Sequence, residues 1–360
     1  MAKEQKKELT KIIVISIILL IISVSIIFTK PISKFINRIL IDADIQTGNN
    51  DMVVHFIDVG QGDAIAIKLP NNEIMVIDSG TKDSQNYLVE YLKDNVLMNN
   101  KDLVVDYLFL THSDIDHSGG MCAIFAEFEV KNFYRPNIAS KNESLNNFDL
   151  KTDTEEYDEV IALSKQEKSL NVVTLNQEIK FNIDKVLVEI FSPLDIYDTT
   201  NEMSSVIKLT YCNKSFLFTG DIGGNSEEDM LTTHKERLNC DVLKVAHHGS
   251  KESTSEEFVN TVTPEYAVIC VGENSYGHPH FTVVSRLENA GAEVLTTKNS
   301  TVRFICNQNG LSILDKNAIY STEYIKWWAV ALSIDLILAI CLIRIIIDKI
   351  LKSKKANMEV

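Results

Sequence analysis

Thr111-His112-Ser113-Asp114-Ile115-Asp116-His117-Ser118-Gly119-Gly120 decides how this chain is read. Two imidazoles and two carboxylates fall within six residues, directly after the apolar run Tyr107–Leu110. A short apolar run of this kind reads as a buried strand. The loop that follows it can aim the four side chains inward without a regular period. Imidazole nitrogen combined with carboxylate oxygen suits zinc or manganese, and the lack of a thiolate in the cluster argues against a structural zinc site. A solvated polar loop is a poor account of two His and two Asp packed against a Gly-Gly pair.

Three further clusters extend the pattern. Phe218-Thr219-Gly220-Asp221 closes a second apolar run, and Val245-Ala246-His247-His248-Gly249-Ser250 closes a third. Tyr276-Gly277-His278-Pro279-His280 forms the last. Read alone, Asp221 fits a helix cap as well as a ligand. The paired histidines fit a metal or acid–base role, and the last cluster also fits a turn with surface histidines. Six of the eight histidines lie in these clusters, which random placement does not explain.

Working outward, periodicity predicts strands at 53–59, 64–69, 73–78, 103–110, 186–191, 205–211, 215–219, 241–246, 266–271, 293–297, 302–306 and 311–314. Helices are predicted at 84–96, 155–167, 225–237, 255–262 and 281–290. The stretch 137–180, rich in Asn, Lys, Glu and Asp, reads as polar connection around one helix. Runs of hairpin strands closed by helices predict an α/β fold with sheets layered between helices.

The chain has 360 residues, 50 acidic and 35 basic, for a net charge of −15. Residues 1–40 carry +5 and 324–360 carry +3, which leaves −23 for 41–323. A domain so acidic does not wrap a long polyanion by charge alone; a local cation such as a metal would have to outweigh the field. The six cysteines contain no C-x-x-C pair and read as small buried hydrophobes. No Gly-rich nucleotide-binding loop is present.

Both ends read as membrane spans. Residues 12–29 form an uncharged run of 18 between Lys11 and Lys30, and at ~1.5 Å per residue such a helix crosses the hydrocarbon core. A cleaved signal peptide, with Ser23-Val24-Ser25 as its site, is the rival reading. Residues 327–347 begin with a Trp pair and are followed by Lys349, Lys352, Lys354 and Lys355, a pattern that puts the tail in the cytoplasm. Asp335 interrupts this span at a cost of ~2.5–3.5 kcal/mol on insertion scales, so it is expected to face a partner transmembrane helix. An amphipathic helix is the alternative. The expected organisation is an anchor at 1–41, a domain at 42–320 on the extracellular side of the cell membrane, and a second span with a basic tail at 321–360.

The clusters resemble the metallo-β-lactamase fold, whose pattern is H-x-H-x-D-H. They resemble more closely the subgroup formed by the β-lactamase-like domain of the DNA-uptake protein ComEC, in which Asp replaces the second His. The matching stretches are His55–Ala64, Asp78-Ser79-Gly80, Leu110–Gly120, Ser204–Leu209, Phe218–Asp221, Leu243–Ser250 and Tyr276–His280, in order across 52–315. Phosphorylcholine esterases of Gram-positive cell walls are similar too. Two departures stand out. Two spans do not build an uptake channel. The third His of other branches has no counterpart between Asn137 and Asp221, where only Asn201, Glu202 and Ser204 are near the matching place.

The resemblance implies an αββα sandwich with two divalent metal ions, Zn²⁺ or Mn²⁺, at the sheet edge. By motif, His112 and Asp114 would hold the first ion. Asp116, His117 and His248 would hold the second, and Asp221 would bridge them. His247 would serve acid–base chemistry beside the catalytic Asp116, and His278 or His280 would orient a phosphoryl oxygen. Asp58 and Asp63 would support the loop, and Asp78 would orient a ligating His. The implied function is a membrane-anchored, metal-dependent phosphodiesterase using metal-activated water, with DNA as the leading substrate. One alternative is a cell-surface esterase acting on phosphorylcholine or another teichoic-acid group, recognised by an aromatic cage drawn from Tyr134, Tyr276 and Phe281. The other is a non-enzymatic, metal-stabilised domain that binds a partner.

Overall fold

A computed structural model describes residues 50–314, apart from 98–101, 146, 147, 149 and 153, together with Gly48 and Arg344. Both expected spans, 12–29 and, apart from Arg344, 327–347, lie outside the described residues, as do the domain boundaries at 42 and 320. Among the described residues no helix is long and apolar enough to cross a membrane.

Among the described residues seventeen strands follow one another as β1 (Met52–Phe56), β2 (Ile65–Lys68), β3 (Ile74–Ile77), β4 (Val104–Phe109), β5 (Glu129–Pro136), β6 (Ile138–Ala139), β7 (Leu150–Lys151), β8 (Asn171–Leu175), β9 (Ile179–Ile183), β10 (Val186–Phe191), β11 (Val206–Tyr211), β12 (Lys214–Phe218), β13 (Val242–Lys244), β14 (Tyr266–Ile269), β15 (Glu293–Thr296), β16 (Val302–Asn307) and β17 (Gly310–Ile313). They form an eight-stranded sheet in the order 17-16-1-2-3-4-5-8 and a seven-stranded sheet in the order 15-14-13-12-11-10-9, with β6 and β7 paired separately.

Side-chain alternation builds the layers, because successive residues of a strand point to opposite faces. Val54 and Phe56 of β1, Met75 and Ile77 of β3, and Phe216 and Phe218 of β12 share one core between the sheets. The intervening Ile74 and Val76 pack instead with Leu88, Met121 and Tyr157 on the outer side of the first sheet. Leu217 packs with Val259, Val283 and Leu287 outside the second. The helices that supply these contacts are α1 (Gln85–Tyr91), α2 (Ile115–Ser118), α3 (Met121–Glu127) and α4 (Glu155–Ser164) on the first sheet, then α5 (Gly224–His234), α6 (Glu256–Val262) and α7 (Phe281–Asn289) on the second. The result is an αββα sandwich. Phe56, Phe216 and Phe304 are fully buried in the central core, and each contributes about 1.5–3 kcal/mol.

Five strands escape the sequence reading, the two-residue β6 and β7 among them. Residues 129–136 form β5, parallel to both β4 and β8. The polar stretch 137–180 supplies β8 and the start of β9, which close one edge of each sheet. Edge strands keep a wetted face, so β8 and β9 lack the apolar run that marks a central strand. The helix expected at 84–96 also divides, with α1 passing into a wider π-turn over Leu92–Leu97.

Parallel pairing positions the site. β3, β4 and β5 run side by side, as do β12, β13 and β14, so within each group the loops after the strands emerge at one edge. Those loops carry Asp78, the 111–120 cluster, Asp221 and the His247–His248 pair.

Candidate metal centre

Asp78 is the knot of the first sheet's contribution. It follows β3 with a left-handed φ of 57°. Its Oδ1 accepts from the Thr111 amide at 2.8 Å, and its Oδ2 accepts from the Thr111 hydroxyl at 2.7 Å and from His117 Nδ1 at 2.8 Å. Spending Nδ1 on Asp78 leaves the Nε2 lone pair of His117 free to bind a metal. The other two buried histidines of the cluster follow the same rule. His248 Nδ1 donates to the Cys270 carbonyl at 2.8 Å. His112 Nδ1 lies 3.1 Å from the Thr111 hydroxyl and 3.2 Å from that of Ser204. The Nε2 atoms of His112, His117 and His248 are buried with no hydrogen-bond partner. Native interiors rarely leave such atoms orphaned without a functional reason.

The carboxylates converge on the same place. Asp221 presents Oδ1 3.3 Å from His117 Nε2 and Oδ2 3.3 Å from His248 Nε2. Asp116 Oδ2 stands 3.2 Å from His248 Nε2. Asp114 Oδ2 is 3.9 Å from His112 Nε2, while its Oδ1 accepts from Thr200 at 2.5 Å. Donor atoms of His112, His117 and Asp221 all lie within 4.8 Å of one another. The set combines buried imidazole nitrogen with carboxylate oxygen, which fits a borderline or hard divalent ion.

Electrostatics follow from this crowding. Burial opposes charge on His117, yet Asp221, Asp63 and Asp78 raise its pKa well above the ordinary histidine value. His248 is raised likewise, against burial, by Asp221 and Asp116. His112 goes the other way, lowered by burial and by His117. Asp221 is held well below the carboxylate range, against burial, by His248, His117 and Lys244. The centre attracts cations, and metal binding here would displace protons.

Two backbone features shape the site. His247, His248 and Gly249 are successively left-handed, with φ of 49°, 52° and 79°. This throws the two imidazoles apart, with ring planes at 72°. His248 points into the centre, and His247, its side chain 31% exposed, stands at the mouth with Nε2 4.0 Å from Asp221 Oδ2. The turn Gly60–Asp63 presses on the 111–120 loop, and the Asp63 amide donates to the Asp116 carbonyl at 3.0 Å. A Cβ on Gly62 would come within 2.3 Å of that carbonyl oxygen, so only glycine fits.

The remaining sequence candidates separate. The His278 ring lies 5.5 Å from that of His247. His280 instead caps α7, accepting from the Thr282 amide. Asp58 accepts from the Gly60 amide within the first turn. Tyr134, offered for an aromatic cage, is buried and stacks on Phe109 at 4.3 Å between the sheets, so it takes no part in the mouth. Tyr276 and Phe281 are 75% and 72% exposed beside His278 and His280. Where a third His is lacking, Ser204 contacts His112 and accepts from the Asp221 amide at 3.0 Å, and Asn201 Nδ2 lies 3.4 Å from His247 Nε2.

Sequence reasoning missed Lys244. It sits fully buried at the end of β13, paired with Asp63 Oδ2 and 3.4 Å from Asp221 Oδ1. Its signal was its place inside the apolar run Val242-Leu243-Lys244-Val245-Ala246. Asp63 forms a second compact group with His117 and His248. That group faces Nδ1 atoms already committed to Asp78 and Cys270, and the Lys244 ammonium fills it, so it is an ion pair and not a further metal site.

A family model described as the metallo-beta-lactamase superfamily matches residues 57–273. The chain belongs to the metallo-beta-lactamase superfamily. This metallo-beta-lactamase domain is similar to ComE operon protein 3 of Bacillus subtilis (strain 168), with 27% identity over 267 residues, 70% of this chain and 32% of that protein. It is similar to Recombination protein 2 of Haemophilus influenzae, with 27% identity over 279 residues, 77% of this chain and 31% of that protein. These are competence proteins of the ComEC family, and the chain spans about a third of their length. Among solved structures, the metallo-beta-lactamase fold protein YhfI of Bacillus subtilis aligns with a TM-score of 0.46 at 11% identity, over 71% of this chain and 99% of that one. The chain thus combines a metallo-beta-lactamase domain with a ligand set suited to divalent metal.

Proposed function

We propose that the chain is a membrane-anchored, metal-dependent phosphodiesterase that cuts DNA strands at the outer face of the cell membrane. The observation that carries this reading is the convergence of three partnerless, buried Nε2 atoms on Asp221, beneath a mouth where His247 stands. The similarity to proteins named for competence and recombination supports DNA as the substrate. The terminal runs 12–29 and 327–347 support anchoring, with Asp335 facing a partner helix.

In this reading His112 and Asp114 would hold one ion and Asp116, His117 and His248 the other, with Asp221 available to both. Two divalent ions, Zn²⁺ or Mn²⁺, would supply activated water and neutralise charge on the phosphoryl group. Asp78 fixes the His117 tautomer and ring direction. His247 would accept the proton given up by the attacking water and pass it to the leaving oxygen. Burial lowers its pKa, which favours the neutral imidazole as the proton acceptor. His278, beside it, orients a phosphoryl oxygen. Tyr276 and Phe281 offer exposed rings on which bases of an unpaired strand stack. Phosphorylcholine is less well served, because Tyr134 belongs to the core and the cage loses a wall.

The test compares the purified chain with its His112→Ala form on labelled single- and double-stranded DNA with Mn²⁺. Cleavage by the parent alone is the expected result. No cleavage by a parent shown to hold metal would overturn the nuclease reading and leave small phosphodiesters of the cell surface as the substrate class.

A further inference from the structure

Lys244 is an ammonium built into a site that collects cations. Its side chain is fully buried. An ammonium has three protons, and Lys244 has three acceptors. It donates to the Gly220 carbonyl at 2.9 Å, reaches Asp221 Oδ1 at 3.4 Å and pairs with Asp63 Oδ2. The Asp221 oxygen it approaches is the one that faces His117 Nε2 at 3.3 Å. The ammonium and a metal bound at His117 would therefore draw on the same atom. Asp63 is fully buried and makes no other ion pair with a lysine or arginine among the described residues.

We propose that Lys244 is a permanent cation of the centre which shares Asp221 with the bound metal, and that Asp63 sets how much of its charge Asp221 feels. Both are positioning residues. With Asp63 present, the ammonium is drawn to Asp63 and Asp221 keeps most of its charge for the metal. Without Asp63, the full ammonium charge falls on Asp221 and competes with the metal. Without Lys244, Asp221 turns wholly to the metal. The arrangement trades metal affinity against a carboxylate that is held in place before any metal arrives. It does not depend on which phosphodiester is cut.

The experiment measures the Zn²⁺ dissociation constant of the full chain by competition with a chromogenic chelator, beside the melting temperature of each metal-free form. Two charges a few ångströms apart interact strongly enough inside a protein to move affinity by about tenfold or more. Asp63→Asn is expected to weaken Zn²⁺ binding by about tenfold. Lys244→Met is expected to tighten it by about tenfold while melting lower without metal. The double variant is expected within about threefold of the parent. A lysine that merely supports the fold would leave all affinities level or weaken them together, and any order but the one stated overturns the proposal. If Lys244→Met does not fold, Asp63→Asn and the double variant decide alone. Recovery of affinity in the double variant supports the proposal, and absence of recovery overturns it.

Discussion

Two of the clusters of buried charge among the described residues are built on opposite terms. Around Arg135, the guanidinium makes a bidentate pair with Glu143 at 2.9 and 2.8 Å and touches the Ile138 carbonyl and the Tyr157 hydroxyl at 2.7 Å. It also lies over the ring of Phe148, 4.7 Å from its centroid. Its charge is answered on the spot, and only Nε lacks a partner. At the metal centre the histidines are held just as firmly from behind, by Asp78, Thr111 and the Cys270 carbonyl, yet three Nε2 atoms converge beside Asp221 without a hydrogen bond. Buried charge by itself therefore says little about function. What separates the clusters is whether the atoms that face inward together are paired.

Substitutions should separate the two further. The largest effect is expected from His117→Ala, which removes a ligand: metal stoichiometry should fall and hydrolysis should be lost, by elemental analysis and fragment release, with the fold retained by circular dichroism. Retention of full metal content would break the comparison. Next, Arg135→Met leaves the part-buried Glu143 with only Lys165 and the Ser140 amide and is expected to cost about 2 kcal/mol, read by urea denaturation, with metal affinity unchanged. Asp78→Asn should lower metal affinity by roughly 10–100-fold, as loss of a carboxylate behind a ligating histidine does, with a smaller change in stability than Arg135→Met.

The smallest effect is a dependence on pH. Burial opposes the Glu143 charge, but Arg135, the Ser140 amide and Lys165 push its pKa from 4.5 down to about 2. A carboxyl lowered on folding stabilises the protein above its unfolded pKa, and that stability is lost as pH falls through the folded one. Stability should thus decline between about pH 4.5 and 2, and Glu143→Gln should flatten that stretch of the urea-midpoint profile.

The layered sheets and the gathering of His and Asp at strand ends were legible because both rest on local pattern, while the αββα arrangement came from the family resemblance. The strands that bear ligands are central and read as apolar runs, and the ligands follow at their ends. β8 and β9 were not legible, since an edge strand such as Ile179–Ile183 alternates polar with apolar residues over only five positions. Lys244 and Asp63 meet across 181 residues of sequence, and no local period announces such a pair. The cap formed by His280 was hidden for another reason: a histidine before a helix resembles a ligand until its partner, Thr282, is seen.

The consecutive left-handed backbone at His247 and His248 has a consequence for how this protein can change over time. Each non-glycine residue in that conformation costs on the order of 1–2 kcal/mol. Glycine at 247 would relieve that cost while removing the imidazole at the mouth. A library randomised at this position and sorted for heat resistance alone should return glycine. The same library sorted for turnover should return histidine, so durability and catalysis are selected in opposite directions at a single codon.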